Sequence, residues 1–204
     1  MSRLEESSGK AHKPVTHDYY GYIMTNDSGF APCVADGFMS LACCMPTIRK
    51  RCPKGSWVAG WGGVQYGRGR LIYLMQVEET PDFDRYFADE RFTGRIDNIY
   101  RTVGAKLKQI STARFHPTTK EQEHDTSVPR VLVSSRFVYF GKRKLTAAKQ
   151  FDGLVPQYRG GRVADGVEVV RLVNWASSDG WGVKGDPHSP KPPNATTLVQ
   201  IQLA

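Results

Sequence analysis

Residues 57–79 read WVAGWGGVQYGRGRLIYLMQVEE, and this stretch decides the predicted fold. Its first part, residues 57–63, is typical of a strand whose glycines let another backbone or a ligand approach closely. Residues 64–70 have the glycine-rich composition of a hairpin loop. Residues 71–79 form a nearly continuous apolar run of strand length, which predicts a central buried strand. The stretch therefore predicts a β-hairpin at the centre of a sheet.

Strand-like segments also lie outside this hairpin. Residues 19–27 are rich in aromatic side chains and run into the turn sequence NDSG. Residues 131–141 indicate two short strands separated by a serine pair. Residues 197–203 alternate apolar and polar side chains, as a half-buried strand does. The sequence therefore predicts strands along most of the chain.

Helices and loops are predicted between these strands. Thr80-Pro81-Asp82 has the order of a helix start, with an N-cap, a proline at the first helical position and an acid in the first turn. Residues 167–176 indicate a second helix, although their valines leave a strand as the alternative. Residues 30–38 and 101–130 are irregular and are predicted as loops.

Together these elements predict an α+β fold. Connections between the strands are too varied for regular βαβ winding, so we expect a mainly antiparallel curved sheet, or a small barrel, with peripheral helices. A chain of 204 residues suggests one domain, over residues 17–204. Residues 1–16 are polar, so we expect a mobile tail and not a secretory signal. We therefore expect a cytoplasmic, reducing compartment, and no apolar run is long enough for a membrane span.

The positive charge of the chain is concentrated in one quarter of its length. The formal net charge is +8, and residues 101–150 carry eleven basic and three acidic groups. An excess confined in this way favours an anionic partner, either nucleic acid or a nucleotide. The alternative is a solvated basic face with no partner.

The four cysteines do not have the spacing of a metal site. Cys33, Cys43, Cys44 and Cys52 form none of the C-x2–4-C pairs of structural zinc sites and no C-x-x-C redox motif. We expect at least two of them to be small buried apolar residues. The basic residues 49–51 follow Cys44 closely and could favour its thiolate.

Two histidines form another candidate site. His116, His124 and Asp125 lie together in RFHPTTKEQEHD. Such a group could bind a metal or act in acid–base chemistry, but its spacing matches no metal motif, and loop histidines are usually solvated. Phosphate-binding glycine loops and the G-x-S-x-G elbow are absent from the sequence. We therefore predict no cofactor and no metal.

Aromatic and basic side chains alternate in two segments. Residues 135–144 place three aromatics beside four cations, and residues 57–66 contain Trp57, Trp61 and Tyr66. An aromatic ring can stack on a base, and each such stacking contact contributes ~1–3 kcal/mol to binding. Arg and Lys side chains can bind the phosphates. The alternative is that strand aromatics face the core, and at least half should do so.

Several of these segments, in this order, resemble the nucleotide-modification-associated domain family, type two. They are LACCMPTIRKRCPKGSWVAGWGG, LIYLMQVEE, DNIY and VLVSSRFVYFG. The likeness covers roughly residues 17–180. That family is bacterial and phage-associated, and its members are proposed to act in systems that modify nucleic-acid bases.

The resemblance also points to particular residues. The family's C-K-P-x-I-R segment falls on residues 44–49, where Met45 replaces the lysine, and Ser56 replaces an aspartate of its G-D pair. Its D-N-I-Y segment matches residues 97–100, and its S-x-x-F-x-Y-F-G segment matches residues 134–141. If that lysine takes part in the chemistry of the family, this chain lacks the corresponding activity.

A weaker likeness concerns architecture. The order of Ile48-Arg49, a turn, a glycine-rich strand, a hairpin and LIYLMQVEE is similar to the barrel core of the pseudouridine-synthase-and-archaeosine-transglycosylase superfamily, with its EVE and ASCH groups. Those PUA-like barrels often bind RNA or modified bases, but a shared fold does not define a function.

Two main hypotheses follow. In the first, the protein binds a nucleic acid or modified nucleotide without catalysis. Its binding residues are Arg49, Trp57, Trp61, Asn98, Tyr100, Ser134, Arg136, Phe137, Lys142 and Arg143. In the second, it is a transferase or hydrolase acting on a nucleotide or modified base, with Cys44 as nucleophile and Asp97 or His116 as general base. A third possibility is an interaction domain whose charge is incidental.

Overall fold

The computed structural model describes residues 18–110, 115–143, 146, 149–157, 161–163 and 166–190. The tail predicted at residues 1–16 and the strand predicted at residues 197–203 lie outside these ranges. Within them, no helix combines the length and the apolar character that crossing a membrane requires.

Eleven strands and four α-helices make up the described secondary structure. The strands are β1 (Tyr19–Met24), β2 (Cys33–Ala35), β3 (Phe38–Leu41), β4 (Trp57–Gly62), β5 (Leu71–Gln76), β6 (Tyr100–Val103), β7 (Lys106–Gln109), β8 (Leu132–Ser134), β9 (Phe137–Tyr139), β10 (Gly161–Val163) and β11 (Gly182–Val183). The helices are α1 (Pro46–Arg51), α2 (Phe83–Ala88), α3 (Thr119–Thr126) and α4 (Gly166–Ala176). Short 3-10 turns cover Val64–Tyr66, Glu90–Phe92 and Lys149–Leu154.

The strands form three sheets. The largest has the order β10-β1-β4-β5-β9-β11, and the smaller ones are β2-β3-β8 and the hairpin β6-β7. Most neighbours pair antiparallel, but β1 pairs parallel with β4, and β11 pairs parallel with β9. The α+β prediction is confirmed, and the described strands form open sheets instead of the alternative barrel.

The hairpin of residues 57–79 lies at the centre of the large sheet, as predicted. β4 and β5 pair antiparallel, with a register shift between Gly60 and Trp61. A Cβ at Gly60 would come within 2.4 Å of the Met24 and Tyr73 side chains, so this position requires glycine. The close approach of other groups to this glycine is the reason for its place in the strand.

Both faces of the large sheet are buried. On one face, α4 packs its apolar stripe, which includes Leu172 and Val173, against Trp61 and Leu74. On the other face, Ile48 of α1 packs with Met39 and other residues of the small sheet β2-β3-β8. A third cluster joins α2 to the segments around residues 99, 115 and 131. This third cluster carries the candidate site at its edge.

Local structure differs from prediction at three places. Helix α2 begins at Phe83, because the Asp82 carboxylate and not Thr80 caps it by accepting from the Arg85 amide. Residues 30–38, predicted as a loop, contain β2 and the turn that leads into its antiparallel partner β3. Residues 101–130, predicted as a loop, contain β7 and α3. The α3 N-terminus is stabilised by a capping box between Thr118 and Glu121.

Candidate active site

Cys44 lies in a strained turn between β3 and α1. Its backbone φ is 60°, and the φ of Met45 is 40°, so two consecutive non-glycine residues adopt the left-handed conformation. Each such residue costs on the order of 1–3 kcal/mol, and strain of this kind concentrates at functional sites. Pro46 then begins α1 at a position where its missing amide hydrogen is not needed.

The side chain of Cys44 contacts His116, which in turn contacts Asp125. Cys44 Sγ lies 3.6 Å from His116 Nε2, and His116 Nδ1 lies 2.5 Å from Asp125 Oδ2. Asp125 is fully buried, whereas Cys44 and His116 are partly exposed. A thiol, an imidazole and a carboxylate in this order form the hydrogen-bonded arrangement of a cysteine nucleophile with its general base.

Asp125 is held by further hydrogen bonds on both of its oxygens. Its Oδ1 accepts from the backbone amide of Cys44 at 2.6 Å, and its Oδ2 accepts from the Tyr100 hydroxyl at 3.0 Å. Asp125 projects from α3, and Tyr100 begins β6. The carboxylate therefore joins the Cys44 turn, the α3 helix and the β6-β7 hairpin.

Arg49 also connects these segments, through hydrogen bonds to their backbones. Its side chain is fully buried, and its guanidinium donates to four backbone carbonyls. These belong to Cys44, Asp125, Val128 and Arg130, at distances of 2.8, 2.5, 2.7 and 2.8 Å. Arg49 was predicted to face a ligand, but the structure places it beneath the turn, where it fixes the backbone of the site.

The contacts of His116 favour its protonated state. Burial by itself lowers the pKa of His116, but the hydrogen bonds to Asp125 and Cys44, with their charges, raise it to about 10. Burial would raise the pKa of Asp125, yet the hydrogen bonds from His116 and the Cys44 amide lower it. The site thus stabilises an imidazolium beside an ionised Asp125, which suits the acceptance of a thiol proton.

The other three cysteines are less exposed than Cys44. Cys33, Cys43 and Cys52 are all buried. Burial raises the pKa of Cys33 and Cys43 well above the usual value and that of Cys52 to about 12. The prediction of small buried apolar residues holds for these three, and Cys44 differs from them in exposure and in its histidine contact.

The same three side chains are close enough to be considered for a metal. One ligand atom from each of Cys44, His116 and Asp125 lies within 4.8 Å of the others. However, both oxygens of Asp125 already accept hydrogen bonds, one of them from the His116 nitrogen that points away from the thiol. Two ligands then remain, whereas catalytic zinc takes three protein ligands. The donor set fits a nucleophile and base better than zinc.

Asp97 is not part of this cluster. Its carboxylate accepts from the hydroxyls of Ser40 and Tyr86, at 2.5 and 3.0 Å, and lies 3.5 Å from Arg95. All four side chains are buried in one network. The structure therefore brings together Cys44 and His116 of the predicted catalytic residues and places Asp97 in a separate structural network.

Two predicted binding residues, Trp57 and Arg136, meet beside Trp181, which was not among the predicted residues. The guanidinium of Arg136 lies 5.5 Å from the ring centre of Trp57 and 4.9 Å from that of Trp181. The two tryptophan rings are stacked at 6.0 Å, and Trp181 is 38% exposed. Phe137 is buried in the core, and Trp61 is buried with its Nε1 donating to the Tyr19 hydroxyl.

The remaining predicted binding residues lie apart from one another. Asn98 donates to the carbonyls of Tyr86 and Phe92, and its buried Oδ1 has no partner among the described residues. Ser134 is buried, and its hydroxyl donates to the Arg136 carbonyl. Lys142 is exposed, and Arg143 pairs with Asp179 at 3.0 Å. The structure therefore does not gather the predicted aromatic-lined pocket at one place.

Asp125 and Tyr100 complete the cluster. Asp125 was named with His116 and His124 as a group that could bind a metal or act in acid–base chemistry, and Tyr100 was among the predicted binding residues. The available signal for Asp125 was its neighbourhood with His116 in a segment with a T-x-x-E capping box, which predicts a helix that can present a carboxylate.

The fold and the site define an α+β protein with a cysteine–histidine–aspartate centre. The chain belongs to the nucleotide modification associated domain 2 family, whose model matches residues 16–192. Comparisons with curated proteins and with solved structures gave no match. The resemblance stated from the sequence is thereby confirmed. The matched residues include the Cys44 turn, α3 and the large sheet.

Proposed function

We propose that the protein is an enzyme that uses Cys44 as a nucleophile on a nucleotide or a modified base. The single observation that carries this proposal is the hydrogen-bonded order of Cys44 Sγ, His116 Nε2 and Asp125. A binding module has no need for a partly exposed thiol held against a histidine by a strained turn. The family supports a nucleotide link.

The residues of the site have distinct roles in this reaction. His116 accepts the thiol proton at Nε2, and the Cys44 thiolate attacks an electron-poor carbon of the substrate. Asp125 orients the ring and stabilises the imidazolium. Tyr100 and Arg49 hold Asp125 and the Cys44 turn in place through the hydrogen bonds described above. The covalent intermediate then passes to water or to a second substrate, so the reaction is a hydrolysis or a transfer.

A panel of nucleoside monophosphates, nucleoside triphosphates and oligonucleotides with modified bases tests the proposal. Product formation is followed by liquid chromatography and mass spectrometry. We expect turnover of at least one panel member, abolished in Cys44→Ser and reduced about 10²-fold or more in His116→Gln. Turnover that survives Cys44→Ser would overturn the proposal, and so would absence of turnover from the whole panel.

A second candidate is a binding protein without catalysis. The observation that favours it is the partly exposed Trp181 beside Trp57 and the exposed Arg136, because aromatic faces and cations together bind single-stranded nucleic acid. This candidate predicts salt-sensitive binding of a fluorescent oligonucleotide that Trp181→Ala and Arg136→Glu weaken. Arg85→Glu, the same charge change at another exposed arginine, is the control. Binding that changes neither with salt concentration nor in Arg136→Glu would exclude the binding-protein candidate.

A further inference from the structure

The structure contains a second histidine–aspartate pair. His188 Nδ1 is 2.7 Å from Asp27 Oδ2, and the His188 backbone amide donates to the same oxygen at 3.1 Å. The other oxygen of Asp27 accepts from the Tyr139 hydroxyl at 2.5 Å. Asp27 is fully buried, whereas the His188 side chain is 18% exposed.

The second pair repeats the geometry of the first. In each pair a buried aspartate holds Nδ1 of a partly exposed histidine. Nε2 of His116 faces Cys44, whereas Nε2 of His188 has no hydrogen-bond partner among the described residues. The ring of His188 also packs on Tyr66, with 4.2 Å between the ring centres. A histidine oriented in this way has one nitrogen free to exchange a proton with a ligand.

Two features connect the pairs. Asp27 and Phe30 belong to one short segment after β1, and the Phe30 ring lies 5.1 Å from the His116 ring. Tyr22 is a buried residue of β1. Burial is the main cause that raises its pKa, and the charges of both Cys44 and Asp27 raise it further. Met45 and Tyr66, one from each side, are partly buried against the apolar cluster that contains Tyr22.

We propose that His188, held by Asp27, is a second acid–base residue of the Cys44 site. This inference rests on the proposed function, because it assigns a role within the same reaction. His116 serves the nucleophile, and His188 serves the leaving group. Two histidines in these separate roles let the thiol proton and the leaving-group proton move at different places.

The proton and bond changes balance in the following way. The Cys44 proton moves to His116 Nε2, and Sγ forms a bond to the electrophilic carbon. The bond from that carbon to the leaving group breaks, the leaving group takes the electron pair, and it receives a proton from His188 Nε2. In the second half, water or an acceptor hydroxyl gives its proton to His188 and bonds to the carbon. The electron pair of the carbon–sulfur bond returns to Sγ, and His116 Nε2 gives the proton back to Sγ.

The groups that face His188 come from several elements. Asp27 after β1 and Tyr66 of the 3-10 turn contact the His188 ring, and Tyr139 of β9 contacts Asp27 in turn. Asp27 and Asp186 also act by charge on Tyr139, whose pKa is raised mainly by burial.

Two acetyl esters test this role without knowledge of the natural substrate. p-Nitrophenyl acetate releases a stable anion that needs no proton, whereas phenyl acetate releases a more basic anion that gains from one. Acylation of Cys44 by each ester is followed by mass spectrometry in the wild type, His188→Gln and Asp27→Asn. His124→Gln, a change at an exposed histidine, is the control.

We expect His188→Gln to slow acylation by phenyl acetate about tenfold or more, with less than about a twofold effect on p-nitrophenyl acetate. An equal effect on both esters, or none on either, would overturn the role of His188. A substitution that only disturbs the fold would slow both esters alike. Asp27→Asn removes the carboxylate that holds His188, so it tests the same selectivity between the esters at a second position. If neither ester acylates Cys44 in the wild type, the proposed function itself fails, and this result is distinct from the others.

Discussion

The Nη2 atom of Arg49 donates a 2.5 Å hydrogen bond to the backbone carbonyl of Asp125. Nε of the same guanidinium donates to the carbonyl of Cys44. Arg49 therefore connects the backbone of Cys44 to the backbone of Asp125, and these residues belong to elements far apart in the chain. The relative position of the two residues depends on a side chain that has no contact with the thiol itself.

Replacement of Arg49 by lysine should weaken both the fold and the site. Lysine keeps the charge, but it cannot reach four carbonyls with a planar fork. We expect the free energy of unfolding to fall by on the order of 3 kcal/mol, measured by urea denaturation, because buried acceptors lose their donors. Arg51→Lys, at an exposed position of the same helix, is the matched control and should change little. Equal stability of the two variants would contradict the role of Arg49.

Cys44 should be the cysteine that reacts with iodoacetamide in the folded protein. The other three thiols are buried, and their raised pKa values keep them protonated at neutral pH. We expect one adduct per chain, located on Cys44 by peptide mass spectrometry, and no rapid adduct in Cys44→Ser. Modification of Cys43 or Cys52 at a similar rate would show that Cys44 is not distinct.

Asp125→Asn should lower the pKa of His116. The carboxylate contributes a hydrogen bond and a charge that together raise this pKa against the effect of burial, so their loss leaves burial dominant. We expect the imidazole resonances of His116 to titrate near 10 in the wild type and at least one unit lower in the variant. Unchanged titration after this substitution would show that Asp125 does not control the histidine.

The raised pKa of His116 also predicts a pH dependence of stability. Because the pKa is raised from 6.5 to about 10 on folding, the folded chain binds the proton more tightly. The stabilisation is fully present below pH 6.5 and is lost as the pH rises through about 10. We expect the melting temperature of the wild type to exceed that of His116→Gln most at low pH within this window, with the difference shrinking toward pH 10.

Removal of the Tyr100 hydroxyl should affect the site, whereas removal of the Tyr86 hydroxyl should not. Both hydroxyls donate to buried carboxylates, those of Asp125 and Asp97 respectively. We expect Tyr100→Phe and Tyr86→Phe to lower stability by a similar amount, about 1–3 kcal/mol. The rate of Cys44 alkylation should change only in Tyr100→Phe. A rate change of the same size in Tyr86→Phe would bring Asp97 back into the catalytic set.

The central part of the fold was predictable because its signals are local. The apolar run of β5 and the glycines of β4 define the hairpin within residues 57–79. The two short strands at residues 131–141 were also found, but their assignment to separate sheets depends on the distant partners β3 and β5. The local sequence pattern does not predict which distant strand each of them pairs with.

The site was only partly predictable. Cys44 and His116 were named as candidates, but their contact depends on left-handed backbone at Cys44, Met45 and His116. These are residue types for which that conformation is uncommon, so no sequence rule predicts it. Asp97 was named because it lies in a family segment, and its burial with Arg95 could not be read from one sequence.

The parallel pairing of β1 and β4 has a consequence for chimeric proteins. Residues 25–56 connect these two strands, and both ends of the connection are fixed by the register from Tyr19 with Trp57 to Met24 with Gly62. This segment carries both Asp27 and Cys44, whereas His116 and His188 come from later parts of the chain. Exchange of residues 25–56 between family members would therefore transplant the thiol and one carboxylate together onto a recipient that keeps its own histidines.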